Sequence, residues 1–118
     1  MQLRFKNLFQ SIDQSDTETF LTFLDENGIF KFGNLPAIEG KDNIREFLNQ
    51  FFTSIDHTTH KNIEEFQSGN NWFTTGEVEY TRKDGSKLKV PFCNKFEMNG
   101  GDKIKKYEIF VDNSELYK

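Results

Sequence analysis

Cysteine is nearly absent from this 118-residue chain; Cys93 is the only one. No intrachain disulfide can form, which fits a reducing compartment, the cytoplasm. Without a CxxC pair there is no thiolate zinc site and no dithiol redox chemistry. Histidine is scarce too, limited to His57 and His60. On a strand their odd separation turns them to opposite faces, so they do not make a metal pair. No metal and no cofactor is expected. No apolar run is long enough to cross a bilayer. The opening Met1-Gln2-Leu3-Arg4-Phe5-Lys6 lacks the continuous apolar core of a leader, so no membrane partner is expected. Fifteen basic residues against nineteen acidic ones leave a net charge of −4. The basic residues are scattered, so the phosphate-neutralising surface of a nucleic-acid binder is missing. One basic run, Lys103-Ile104-Lys105-Lys106, reads as a solvated strand edge.

Phenylalanine is what the chain has in quantity, with fourteen residues. The length suits one domain over 1–118. A chain of this size buries roughly two-thirds of its unfolded surface. Each fully buried Phe contributes about 1.5–3 kcal/mol before entropy is subtracted. Large rings with few small residues between them leave gaps that can become a ligand cavity. A tightly packed interior is the alternative.

Phe5, Leu8, Phe9 and Ile12 lie at helical spacing and predict a first helix with one apolar stripe. Ser15 followed by Glu18 reads as a capping box opening a short second helix. Phe20, Phe23 and Leu24 form its inward face, and Asn27-Gly28 stops it. Ile29 to Phe32 is a short strand. A loop marked by Pro36 and Gly40 leads to a third helix over Asp42 to Ile55. There Ile44, Phe47, Leu48, Phe51, Phe52 and Ile55 recur at intervals of three and four, and Asp42 or its neighbours cap the start.

After Asp56 the period becomes two, with strands expected at about 57–67, 72–83, 86–98 and 103–111. Turn signals separate them at Ser68-Gly69-Asn70-Asn71, Lys83-Asp84-Gly85-Ser86 and Asn99-Gly100-Gly101-Asp102. Asp84-Gly85 predicts a type I′ hairpin turn. Consecutive hairpins make an antiparallel meander. Helices first and strands after give an α+β class. The expected architecture is a cone, three helices packed in a strongly curved, mainly antiparallel sheet. On the strand over 86–98, Leu88, Val90, Phe92, Asn94, Phe96 and Met98 share one face, and lysines with Glu97 share the other. Trp72, Val78 and Tyr80 share a parity, as do Tyr107, Ile109 and Val111. Phe110 falls on the outer face, where it could meet a twin subunit.

Phe23-Leu24-Asp25-Glu26-Asn27-Gly28-Ile29-Phe30, followed by Gly40, Ile44, Arg45 and Phe47, resembles the opening signature of SnoaL-like proteins. These belong to the nuclear transport factor 2-like superfamily. His60 before Gly69, Asp84-Gly85, Val90-Pro91-Phe92, Phe96 and Phe110-Val111-Asp112 extend the likeness over nearly the whole chain. The resemblance implies the cone fold and a homodimer built on the outer sheet face. It does not select among isomerases, cyclases, epoxide hydrolases, dehydratases and non-catalytic members. In ketosteroid isomerase-like members a general-base Asp precedes the equivalent of Gly40, a place that falls on Lys31. Their first-helix Tyr would fall near Asn7. The epoxide hydrolase-like Asp would fall on Ile109. The resemblance therefore argues against both chemistries.

Asn94 interrupts an apolar face, and a buried amide needs partners. It is either a ligand contact on a pocket wall or a group bonded to its neighbours. His60 matches a histidine common in SnoaL-like proteins. It could act as acid or base or sit at the pocket rim, and no carboxylate partner is evident from spacing. Tyr80 and Tyr107 offer aromatic walls and hydroxyls, as ligand contacts or as core. Trp72 packs at the sheet end. Asp112, with Ser114 and Glu115 beyond it, has cap spacing and ties the last strand to a short helical tail. Glu77 points outward unless Gly76 marks a bulge that turns it inward, where it would serve as acid or base. The first functional expectation is binding of a small apolar or aromatic molecule by Asn94, Tyr80, Tyr107 and His60. The alternatives are a cyclase- or isomerase-type enzyme using His60, and a non-catalytic dimeric interaction module.

Overall fold

A computed structural model describes residues 3–118; Met1 and Gln2, where the reading of a leader begins, lie outside the described residues. Helix α1 spans Lys6–Asp13 and α2 spans Thr17–Leu21. Strand β1 is Leu24–Phe32 and β2 is Ile38–Glu39. Helix α3, Lys41–Ser54, is followed by β3 (His57–Ser68), β4 (Asn71–Thr81), β5 (Lys87–Met98) and β6 (Ile104–Val111). One six-stranded sheet runs in the order β2-β1-β6-β5-β4-β3. Among the described residues only β1 and β6 are parallel; every other pair is antiparallel. The sheet is mixed, open and backed by three helices on one face, the expected cone.

The helices use their apolar stripes as the spacing predicts. Leu8 and Phe9 of α1, Phe20 of α2, and Ile44 and Leu48 of α3 are all buried. They join one core cluster with the inner face of the sheet; on β5, Phe92, Asn94, Phe96 and Met98 are buried and the residues between them are not. Rings dominate this contact. Phe96 stacks on Phe5 at 4.3 Å and meets Tyr107 edge-on at 4.5 Å, distances at which aromatic pairs add to simple burial. Trp72 does pack at the sheet end, edge-on to Phe5 at 5.6 Å.

Several local expectations are corrected. The cap of α2 is Asp16, whose side chain accepts from the Thr19 amide, and Ser15 instead takes the left-handed turn at φ 55°. Asn27-Gly28 does not stop a helix. The chain is already extended from Leu24, and Gly28 lies inside β1. Pairing of Leu24 with Ile104 and of Phe30 with Tyr107 on β6 overrides the local breaker signal. Gly40, not Asp42, precedes α3, and no side chain caps it; Asp42 lies in the first turn and binds Arg45 at 2.7 Å. At Asp84-Gly85 only Gly85 has positive φ, 88°. The Gly85 amide donates to Arg82 O and the Arg82 amide to Ser86 O. This is a type I turn with a glycine bulge, not type I′. Asp112 does accept from the Ser114 amide at 3.1 Å, but the tail forms turns, not a helix.

A bulge does break the β3–β4 ladder, but it sits on β3. The register shifts between Lys61 and Glu64, with Asn62 at φ 56°. On β4 the pairing to β5 runs unbroken through Gly76. Glu77 therefore stays on the outer face, where it accepts from Asn62 Nδ2 at 2.8 Å.

Candidate functional site

Between the helices and the sheet lies a cavity of about 50 Å³. His60, Tyr80, Asn94 and Tyr107, from four different positions on β3 to β6, all line it. Alternation explains the convergence. Each of these residues has the inward parity of its strand, and the curved sheet aims those faces at one point. Phe30 and Phe32 add the wall from β1, and Phe47, Phe51 and Phe52 that from α3. Lys31, between Phe30 and Phe32, faces away and donates to Gly33 O at 2.8 Å. From β1 only Phe30 and Phe32 line the cavity, so no isomerase-type carboxylate enters from there. Ile109 does line the cavity, as an apolar group.

His60 has a carboxylate partner after all. Asp13, the last residue of α1, places Oδ1 2.6 Å from His60 Nδ1. It also accepts from Thr58 Oγ1 at 2.8 Å and from the His60 amide at 3.0 Å. A carboxylate at a helix C-terminus sits against the negative end of the dipole. These three donors from β3 offset that. With Nδ1–H donating to Asp13, the neutral ring presents Nε2 as an acceptor. Phe9 at 4.8 Å and Phe92 at 5.3 Å flank the imidazole.

Asn94 is 2 % exposed, and its Nδ2 donates to the Tyr107 hydroxyl at 3.3 Å. Its Oδ1 is buried with no partner, as is Oγ1 of Thr74, its cross-strand neighbour on β4. Turning the amide over would only exchange the orphan acceptor for an orphan donor. Each such buried group costs about 1–3 kcal/mol when left unmade. Burial pushes the Tyr80 phenol up to about 12, with Asn113 working against the shift. Burial also drives the Tyr107 phenol far above its ordinary range. Both are neutral hydroxyls near neutral pH.

Glu77 is not part of this group. Asp13 and Thr58 are the residues that the sequence reading missed. Asp13 meets His60 across 47 positions of chain, so no local spacing could reveal the pair. The available hint was an acidic residue closing an amphipathic helix, where the dipole disfavours it. Among the described residues no three His, Cys, Asp or Glu side chains cluster as metal ligands. No described helix is long and apolar enough to cross a membrane.

The sequence profile of the SnoaL-like domain matches residues 5–107. No curated protein matches the chain. Its fold is similar to that of a proposed polyketide cyclase from Xanthomonas campestris pv. campestris. That likeness has a TM-score of 0.83 at 15% identity, over 92% of this chain and 87% of the other. It is similar to TerC crystallised with polyporic acid, with a TM-score of 0.80 at 18% identity over 93% and 89% of the two chains. A proposed isomerase from Bacillus subtilis gives a TM-score of 0.78 at 17% identity, covering 91% and 82%. Likeness at such low identity concerns the fold alone. With the profile spanning most of its length, the chain belongs to the SnoaL-like domain family, and its fold is the nuclear transport factor 2-like cone.

Proposed function

We propose that the chain binds a small apolar or aromatic molecule carrying a hydroxyl, with that hydroxyl on Asn94. The orphan Asn94 Oδ1 beside an otherwise mostly apolar cavity carries this reading. Pockets of this kind use few polar groups to orient a mostly apolar ligand. Tyr80, Tyr107 and His60 supply the remaining contacts. The neighbour TerC was crystallised with polyporic acid, which supports small-molecule binding by the shared fold. Asn94→Leu keeps the branched outline of the side chain, adds some bulk and removes the amide. It is expected to weaken binding of para-ethylphenol by about tenfold, in line with the loss of one buried hydrogen bond. Calorimetric titration checks this, and equal affinity for both proteins would remove the basis of the proposal.

A second reading is acid–base catalysis of the cyclase or isomerase kind, resting on the His60–Asp13 contact. Asp13 fixes the ring and stabilises the imidazolium, and Nε2 takes or returns the proton. Structural neighbours described as a proposed polyketide cyclase and a proposed isomerase lend it support.

The proposed assembly is a homodimer through the outer sheet face, in the cytoplasm. Phe66 and Phe110 are each 53% exposed there. Phe110 pairs with Cys93 and Phe66 with Phe73, so apolar side chains cross the sheet among ion pairs. Phe110→Asp should turn the dimer into a monomer in light scattering at micromolar concentration. A wild-type chain that is already monomeric there would end this part of the proposal.

A further inference from the structure

A cavity of about 50 Å³ is too small for even one aromatic ring; benzene occupies an engineered cavity of about 150 Å³. Some part of the wall must yield. Phe20, Phe30 and Tyr107 are fully buried, locked by packing on every side. Phe32, Phe47 and Phe51 are only half-buried. Their far sides line a second space, a surface cleft of about 310 Å³. Phe32 lies 6.2 Å from both Phe47 and Phe51, so the three rings form one continuous partition.

The cleft has a built outer edge. The C-terminal segment folds over it, with Leu116 buried. Arg82 holds this segment by donating to the carbonyls of Leu116 at 3.0 Å and Glu115 at 3.1 Å. Tyr117, 66% exposed, reaches Ser54 at the end of α3 through a 2.8 Å hydroxyl contact. Leu35 forms the opposite apolar edge and is itself half in solvent.

We infer that cavity and cleft are two halves of one elongated site, divided by the Phe32–Phe47–Phe51 ring wall. The ligand class is a molecule with a hydroxyl at its buried end and an apolar tail. Its hydroxyl meets Asn94, its body displaces the ring wall, and its tail lies between Leu35 and Tyr117. This rests on the binding reading above but goes beyond it, because it assigns a second subsite and a ligand length.

The test is calorimetric titration of phenols with para-ethyl and para-hexyl chains. The four added methylenes, partly buried in an open cleft, should tighten binding on the order of tenfold. Leu35→Ser and Tyr117→Ala should each remove most of that gain and leave para-ethylphenol unchanged. Both positions are exposed, so folding is not at risk. A gain that persists in both variants, or no gain in the wild-type chain, overturns the two-part site. If Asn94→Leu still weakens para-ethylphenol in that case, the binding proposal stands. If neither phenol binds the wild-type chain at millimolar concentration, both fall.

Discussion

Gly76→Ala is expected to destabilise the chain by about 3 kcal/mol, the upper part of the range for overpacking a core. For a domain of this size that lowers Tm by roughly 10 °C. A Cβ at Gly76 would lie 2.7 Å from Lys61 O, 3.1 Å from Phe92 Cε2 and 3.2 Å from Asn62 O. Two of the three obstacles are backbone. They cannot rotate away as a side-chain tip would. The β3 bulge produces the crowding, because the extra residue at Asn62 pushes two carbonyls toward β4. Gly101→Ala is the control. Its added Cβ meets nothing nearer than Asn99 Oδ1 at 3.4 Å, so it should shift Tm little. Thermal unfolding of the two variants side by side decides the point. A Gly76→Ala protein as stable as wild type would mean that β3 moves freely past β4.

The same bulge explains what was legible in the sequence and what was not. Strict alternation along β3 from His60 would carry Phe66 to the inner face. The extra residue at Asn62 reverses the parity, so Phe66 faces out, 53% exposed. Glu65 then pairs with buried Thr74, and its carboxylate turns toward α1. It accepts the Arg4 amide at 2.7 Å and the Phe5 amide at 2.8 Å. A carboxylate there suits the positive end of the helix. So β3 holds α1 at both ends, through Glu65 at its start and through Thr58 and His60 on Asp13 at its finish. Neither contact has a sequence signature, because each joins residues far apart in the chain. Gly76 did signal an irregularity, but a glycine across from a bulge reads the same as a glycine within one.

Where the signal was periodic, the reading carried through. The α3 stripe and the β5 alternation need only one element each, and burial enforces them. That is why Asn94, Tyr80 and Tyr107 could be assigned to a common interior before any geometry was known. Element ends depended on competition instead. Asn27-Gly28 is a good local stop for a helix, yet the parallel partner β6 claims that segment for the sheet. Asp84-Gly85 marks a hairpin correctly, but the loop length selects the turn type, and the dipeptide alone does not fix it.

The His60–Asp13 pair makes the second large prediction. If the cavity supports proton transfer, His60→Gln should lose it by at least about a hundredfold, the lower end of what one acid–base group contributes. Gln at this position can still donate to Asp13, so the fold should survive and the loss belongs to the chemistry. Asp13→Asn should have a smaller effect, on the order of tenfold, because the ring keeps a partner but loses the charge that stabilises its protonated form. A reaction-neutral readout exists in the exchange of α-hydrogens of acetophenone for deuterium from solvent, followed by NMR. Abstraction of such a hydrogen gives an enolate, and return of a deuteron restores the ketone with its label. The carbonyl oxygen of the ketone would then need a donor, and the neutral Tyr107 hydroxyl offers one across the cavity. Wild-type exchange above the buffer rate that falls in the order wild type, Asp13→Asn, His60→Gln would establish the dyad as a base. Exchange at the buffer rate in the wild-type protein would sink the catalytic reading and leave binding as the cavity's purpose. Unequal losses reversed in order, with Asp13→Asn the more damaging, would mean that Asp13 reaches the ligand itself and His60 only positions it.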